Sequence, residues 1–258
     1  MRTHVMGIFV GVCALAGFWP AAAPAQQPAE VKEKPPMYSY IANWEVPRNK
    51  FKDMEDMLGK NAVVMSKSLS SGVLVGFGSD ITLVHKEGES THDVWGSSMS
   101  WSGLMKALES IKSSPTSSAP VLDSGKHNDK IYSARYYNWR SGSFTNGYTR
   151  LAIWKLKPDA PADAIDQLAK HYAVPMLEKL LAEGAIYEYE VDEEAVHTES
   201  PGTFMVIFVG NGPEGLDKAS AALAGAQKAS PFVISTFSSW VDTASHRDGL
   251  YQTSGTYK

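Results

Sequence analysis

Apolar residues recur at every second position from Tyr38 to Val46. Tyr38, Tyr40, Ala42, Trp44 and Val46 share one face, which is the period of a β-strand. Pro47 ends it, and the spacing changes to that of a helix over about 48–69, with Phe51, Met54, Leu58, Met65 and Leu69 in one stripe and an interruption expected near Gly59. Gly72 stands where a left-handed helix cap belongs. Alternation returns over Val73–His85, Lys86–Thr91 is a polar turn, and His92–Trp101 forms a partner strand. Leu104, Leu108 and Ile111 mark a short second helix, 113–129 is a Ser/Pro-rich connection that reads as a mobile segment or a lid, and Ile131–Trp139 is a strand. The order is strand, helix, strand, strand, helix, strand, the split βαβ arrangement.

The pattern then repeats. A strand over Tyr148–Leu156 leads into a helix of about 162–183 with Ile165, Leu168, Tyr172, Met176, Leu177 and Leu180 inward, and Pro175 predicts a kink in it. Gly184 caps this helix, and strands follow over Ala185–His197 and Thr203–Val209. A helix over 213–226 and a strand over Phe232–Val241 complete the unit, Trp240 answers Trp139, and the tail from Asp242 onward is polar and reads as a surface wrap. Tyr-to-Trp is six positions in Tyr38–Trp44 and in Tyr148–Trp154, and Gly-to-His is thirteen in Gly72–His85 and in Gly184–His197. The chain therefore divides into repeats over 38–141 and 142–258. Both parities of the strands carry apolar and aromatic residues, so the sheet faces away from the helices are also expected to be buried, sheet against sheet, as an α+β barrel with helices outside.

Composition adds a compartment. Ile8–Trp19 is an apolar run, and Ala23-Pro24-Ala25 ends it in small residues, so 1–25 reads as a cleaved export signal and 26–37 as a flexible leader. The one cysteine, Cys13, lies inside that signal, which leaves the mature chain without disulfides or thiolate chemistry and points to a periplasmic or secreted setting. Without 1–25 the chain has 23 Lys and Arg against 28 Asp and Glu, a net charge of −5. That balance and the lack of basic runs argue against nucleic acid and against a membrane surface as partners. No segment after the signal suits stable membrane insertion.

Candidate chemistry is sparse. The duplicated His-x-Glu, His85 with Glu87 and His197 with Glu199, places a histidine at a strand end with a carboxylate near it, the arrangement of an oriented general base. His197 with Glu193 has metal-ligand types, yet histidines beside a hairpin turn also satisfy turn backbone groups, and no metal is assigned. Arg135, Tyr137, Tyr187 and Tyr189 sit on strands that should line a barrel and are candidate ligand-binding residues. Asp192-Glu193-Glu194 reads as a solvated strand end. No phosphate loop, nucleophile elbow or metalloprotease helix is present, so no cofactor is assigned.

Element order, the duplicated spacing and the Tyr-x5-Trp strands resemble the dimeric α/β-barrel superfamily in its tandem-duplicated form, over nearly the whole mature chain. The resemblance implies two ferredoxin-like repeats closing one barrel, and relatives that include cofactor-independent monooxygenases, haem proteins and barrels without known activity. A haem reading would use a histidine of the second half, for which His171 is the candidate. The expected function is binding of a small apolar or aromatic molecule in the barrel interior. The alternative is a monooxygenase-like enzyme with His85 or His197 as proton acceptor. The expected state is a monomer or homodimer.

Overall fold

The computed structural model describes residues 32–84, 86–198, 201–229 and 231–258. Eight antiparallel strands close a barrel: β1 (Met37–Glu45), β2 (Gly76–Thr82), β3 (His92–Ser98), β4 (Lys126–Trp139), β5 (Gly142–Leu156), β6 (Ile186–Glu194), β7 (Thr203–Asn211) and β8 (Val241–Tyr257). Around the barrel they run β1-β3-β2-β8-β5-β7-β6-β4. The order is that of two ferredoxin-like sheets, β4-β1-β3-β2 and β8-β5-β7-β6, joined edge to edge. β2 pairs β8 from Gly76↔Tyr257 to Thr82↔Tyr251, and β4 pairs β6 from Tyr132↔Glu194 to Trp139↔Glu188. Each strand thus has two partners, and closure removes the free edges that an open sheet would present.

The helices cover the outer face. α1 (Phe51–Ser70) turns Met54, Met57, Leu58 and Met65 onto the first sheet, and it runs through Gly59 without the interruption its glycine suggested. One glycine against that many tertiary contacts costs only about 1 kcal/mol. Gly72 and Gly184 end α1 and its counterpart at φ +78° and +70°, where any L side chain would be strained. At both ends the next amide reaches back five residues, Val73 N to Ser68 O (2.9 Å) and Ala185 N to Leu180 O (2.9 Å). α2 (Trp101–Lys112) starts at Ser100, whose hydroxyl accepts from Gly103 N at 3.1 Å, so Trp101 opens a helix instead of ending β3. In the second half α3 (Ala164–Leu168), a π-turn (Ala169–Ala173) and α4 (Val174–Ala182) follow one another. The expected Pro175 kink takes the form of that π-turn, which widens the helix where proline supplies no amide hydrogen. Among the described residues no helix is long and apolar enough to cross a membrane.

Three expectations need correction. α5 (Gly212–Ala229) is followed by a further helix, α6 (Pro231–Trp240), where a final strand was expected, so Trp240 does not answer Trp139. The polar tail from Asp242 is instead β8, which pairs β5 on one side and β2 on the other and closes the barrel. A strand normally shows itself by one apolar face, and β8 lacks one because the lumen it faces is polar. The connection over 113–129 is also no free lid. It winds through short turns at Pro115–Ser118 and Leu122–Ser124, buries Thr116 and Val121 against the first half, and enters β4 at Lys126. The segment 1–25, expected to be an export signal, lies outside the described residues. At 34, the leader is tied down: Lys34 N donates to Arg135 O at 2.9 Å and its ammonium to Tyr137 O at 2.7 Å.

Candidate functional site

Strand alternation sends odd-numbered residues of β1 and β5 into the barrel and even-numbered ones under the helices. The two larger cavities lie one on each side of the sheet, and a smaller one of about 230 Å³ lies between α1 and β2, lined by Ala62, Met65 and Phe77 and away from Trp44. The lumen holds about 520 Å³ and is lined by Asp80, Asp93, Glu188 and Glu190 on one part of its wall and by Leu151, Ile153, Met205 and Ile207 on another. Two of its wall residues, Trp95 and Tyr257, belong to an aromatic stack in which Tyr257 lies between Trp95 (5.5 Å) and Trp139 (5.4 Å). The lumen is therefore acidic on one wall and aliphatic on another, where a wholly apolar interior was the expectation.

β6 supplies much of that acidity. Glu188, Glu190, Asp192 and Glu194 alternate along it and all are buried, so Asp192 and Glu194 do not belong to a solvated strand end. Burial pushes the carboxyls of Glu188 and Glu190 well above their usual range, each helped by the neighbouring acid on the strand. Asp192 is pushed up to about 8 by burial and then by nearby Glu188. Burial and the facing Asp93 and Glu188 raise Asp80, while burial lifts Asp93 to about 6. Tyr257 donates its hydroxyl to Glu188, and Ser39 donates to Glu190 at 3.2 Å.

The second cavity, about 350 Å³, lies in the second half between the outer face of the sheet and α3, the π-turn, α4, α5 and α6. Its walls are almost wholly apolar, with Trp154, Phe204, Phe208 and Phe237 offering ring faces and Ala169, Ala173 and Ala219 leaving room. Its polar end is a cluster on β5 and β8. The His246 ring stacks on Trp154 (centroids 4.8 Å, planes 4° apart), His246 Nε2 lies 3.4 Å from Asp248, and Arg150 reaches Asp248 at 3.1 Å. An irregularity in the β5–β8 pairing between Ile153 and Lys155 swings this part of β8 over Trp154.

The first half carries the same cluster. Trp44 stacks on His127 at 3.8 Å, His127 Nε2 lies 2.8 Å from Asp129, and Tyr40, at the place of Arg150, donates to Asp129 at 2.6 Å. Ala42 pairs Asp129 across β1 and β4 as Ala152 pairs Asp248 across β5 and β8. Here the space beside the cluster is filled by the chain itself, because Ala119, Val121 and Leu122 pack with Trp44, Met54, Met57 and Val94.

The sequence-predicted residues lie elsewhere. His85 is outside the described residues. His197 is exposed in the loop beyond β6 and lines neither cavity. His171 is exposed on the π-turn, so the residues present do not form a haem site through it. Arg135 is engaged by Glu33 (2.9 Å), Asp166 (3.2 Å) and Glu193 (3.2 Å). Tyr137 donates to Pro35 O at 2.9 Å, Tyr187 stacks on Phe144 at 4.3 Å, and Tyr189 donates to Glu178 at 2.6 Å beneath α4. None of these four lines either cavity except through its neighbours. The signal that finds the site is a second duplicated motif, His127-Asn128-Asp129 and His246-Arg247-Asp248. It is hidden because the offset of 110 between Trp44 and Trp154 grows to 119 between His127 and His246, where the second half adds α6.

No family model matches the chain, and no curated protein matches its sequence. Its fold does match solved structures. A candidate monooxygenase from Fusobacterium nucleatum superposes with a TM-score of 0.61 at 9% identity, covering 87% of this chain and 95% of the other. One from Lactobacillus acidophilus gives 0.58 at 13% identity, over 85% and 94%. An anthrone oxidase-like protein gives 0.51 at 9% identity, over 86% and 92%. At such identities the likeness shows the fold: a dimeric α/β barrel with both halves on one chain.

Proposed function

We propose that this is an exported barrel protein that binds a small apolar or aromatic molecule in the chamber of its second half. One observation carries the reading: equivalent outer faces bear the same Trp–His–Asp cluster, yet only the second half leaves about 350 Å³ of apolar space beside it. That volume falls within the range of small-molecule pockets, and apolar walls with one polar end are how such pockets fix orientation. Trp154 and Phe204 would take the flat face of the ligand, and Arg150 and Asp248 its polar end. Export rests on the apolar run and the small-residue ending of 1–25.

The test is native mass spectrometry and titration with anthrone as a planar aromatic probe. Wild type is expected to bind one equivalent. Ala173→Leu places a branched side chain into the chamber from the π-turn and is expected to weaken binding by at least about tenfold with the fold intact. Equal binding by this variant, or no binding by wild type, would overturn the reading.

A second reading is favoured by the His246–Asp248 pair itself. A histidine held flat by Trp154 and oriented by a carboxylate at the mouth of an apolar chamber has the geometry of a general base. In a cofactor-independent oxidation it would accept the proton released when an acidic C–H or phenol of the substrate is deprotonated. Oxygen uptake with anthrone that vanishes in His246→Gln, while anthrone binding persists, would favour this reading over simple binding.

A further inference from the structure

The lumen plays no part in the proposed function, yet it is the larger cavity and the most unusual chemically. Asp80 reaches in from β2, and Glu188 and Glu190 from β6, which lies four strands away and so on the opposite wall. The charged neighbours that act on Asp80, Glu188 and Glu190 are one another, Asp93 and Asp192, all acids. Of the basic residues in the wall, Lys126 pairs Glu45 at 2.9 Å and Lys130 acts on Asp93, which also takes a hydrogen bond from Asn43 at 2.8 Å, while no basic group acts on Asp80, Glu188 or Glu190. Asp80 is only 7% exposed, one of its oxygens is reached by Thr253, and Oδ1 has no partner at all. A buried acceptor left open toward a cavity costs about 1–3 kcal/mol unless something donates to it.

We propose that the barrel lumen is a binding site for a small organic cation, whose ammonium group lies between Asp80 and the Glu188–Glu190 pair. Three features choose this class. Opposed carboxyls that no side-chain cation reaches give up their protons only to a partner that brings positive charge and N–H donors. The aliphatic side formed by Leu151, Ile153, Met205 and Ile207 suits a carbon skeleton. Among the described residues no three metal-ligating groups converge, which does not suit a compact metal ion. A short alkyl diamine satisfies all three and fits within about 520 Å³.

The experiment is calorimetric titration of the full mature chain with 1,4-diaminobutane, with uncharged 1,4-butanediol and with magnesium chloride. The diamine is expected to bind at least about tenfold more tightly than the other two. Asp80→Asn is expected to cut diamine affinity by about tenfold or more while its thermal midpoint without ligand holds or rises, since an amide can donate to its acidic neighbours. If Asp80→Asn does not fold, Glu190→Gln serves the same purpose. Ala173→Leu must leave diamine binding unchanged, which separates this site from the outer chamber. A wild-type protein that binds the diamine no better than the diol, or folded carboxyl variants that bind it as wild type does, would overturn the proposal.

Discussion

The two halves present the same outer sheet face, and one has kept a room that the other has filled. Trp44, His127 and Asp129 stand in the first half as Trp154, His246 and Asp248 stand in the second. The divergence lies in the connection to the last strand. After α2 the chain dives inward and buries Val121; after α5 it adds α6 and passes over the top. A change in one connection therefore converts packing into a chamber without touching the strands, which is how one fold can carry different sites.

The largest effect is expected from undoing that difference. Val121→Ala with Leu122→Ala removes apolar bulk that packs against Trp44 and Met54 and should cost about 3 kcal/mol, read by urea unfolding. If the plug is what separates the halves, native mass spectrometry should now show up to two equivalents of anthrone instead of one. Stability lost with stoichiometry unchanged would mean that the first half lacks more than space.

A second contrast lies beneath the tryptophans. Trp44 pairs across the sheet with His92, and Trp154 with Phe204. His92 is fully buried, Phe51 meets it edge-on at 4.8 Å, Thr91 Oγ1 lies 3.0 Å from Nδ1, and Nε2 has no partner. Burial lowers its pKa from 6.5 to about 4. The unfolded chain therefore takes up this proton first as pH falls, and stability drains away from about pH 6.5 down to about 4, by about 3 kcal/mol in full. His92→Phe copies the second half and removes that loss: near neutrality it should match wild type within about 1.5 kcal/mol, and near pH 4.5 it should gain about 2 kcal/mol relative to it. The lumen acids act in the opposite sense. Asp192, raised to about 8, contributes stability below its unfolded value of 3.8 that is lost as pH rises through 8, and so only the difference between variant and wild type isolates the histidine. A pH-independent difference would show that His92 titrates normally.

The parts of this molecule legible in sequence were those with a period. The alternation of Tyr38, Tyr40, Ala42 and Trp44 and its copy at 148–154 marked two true strands, and Gly72 and Gly184 marked two true helix ends. β8 was illegible because its inward residues include Arg247, Gly249 and Tyr251 facing an acidic lumen, so no apolar stripe announced it. Asp192 misled for the same reason, since acids at a strand end normally mean solvent. Position along the chain cannot show that β6 runs between β4 and β7 with its even side inward. The histidines of the site were hidden by distance: His127 meets Trp44 and His246 meets Trp154 only once the last strand of each half lies beside its first. Of the more visible His-x-Glu copies, His197 is exposed.

The smallest expected effect is the most discriminating. Tyr40 in the first half and Arg150 in the second hold the same aspartate, but with different chemistry. The Arg150 and Asp248 side chains are 47% and 43% exposed, so their pairing is screened and Arg150→Ala should cost less than about 1 kcal/mol. Tyr40→Phe deletes a hydrogen bond to a carboxylate and should cost about 1.5 kcal/mol. Stability therefore ranks the first half above the second. Ligand binding should reverse that order, because Arg150 lines the open chamber and Tyr40 packs in the closed one. Titration with 2-naphthoate, a planar ring bearing one carboxylate, is expected to lose several-fold affinity in Arg150→Ala and none in Tyr40→Phe. If both variants bind alike, the polar end of the chamber does not orient what the chamber holds.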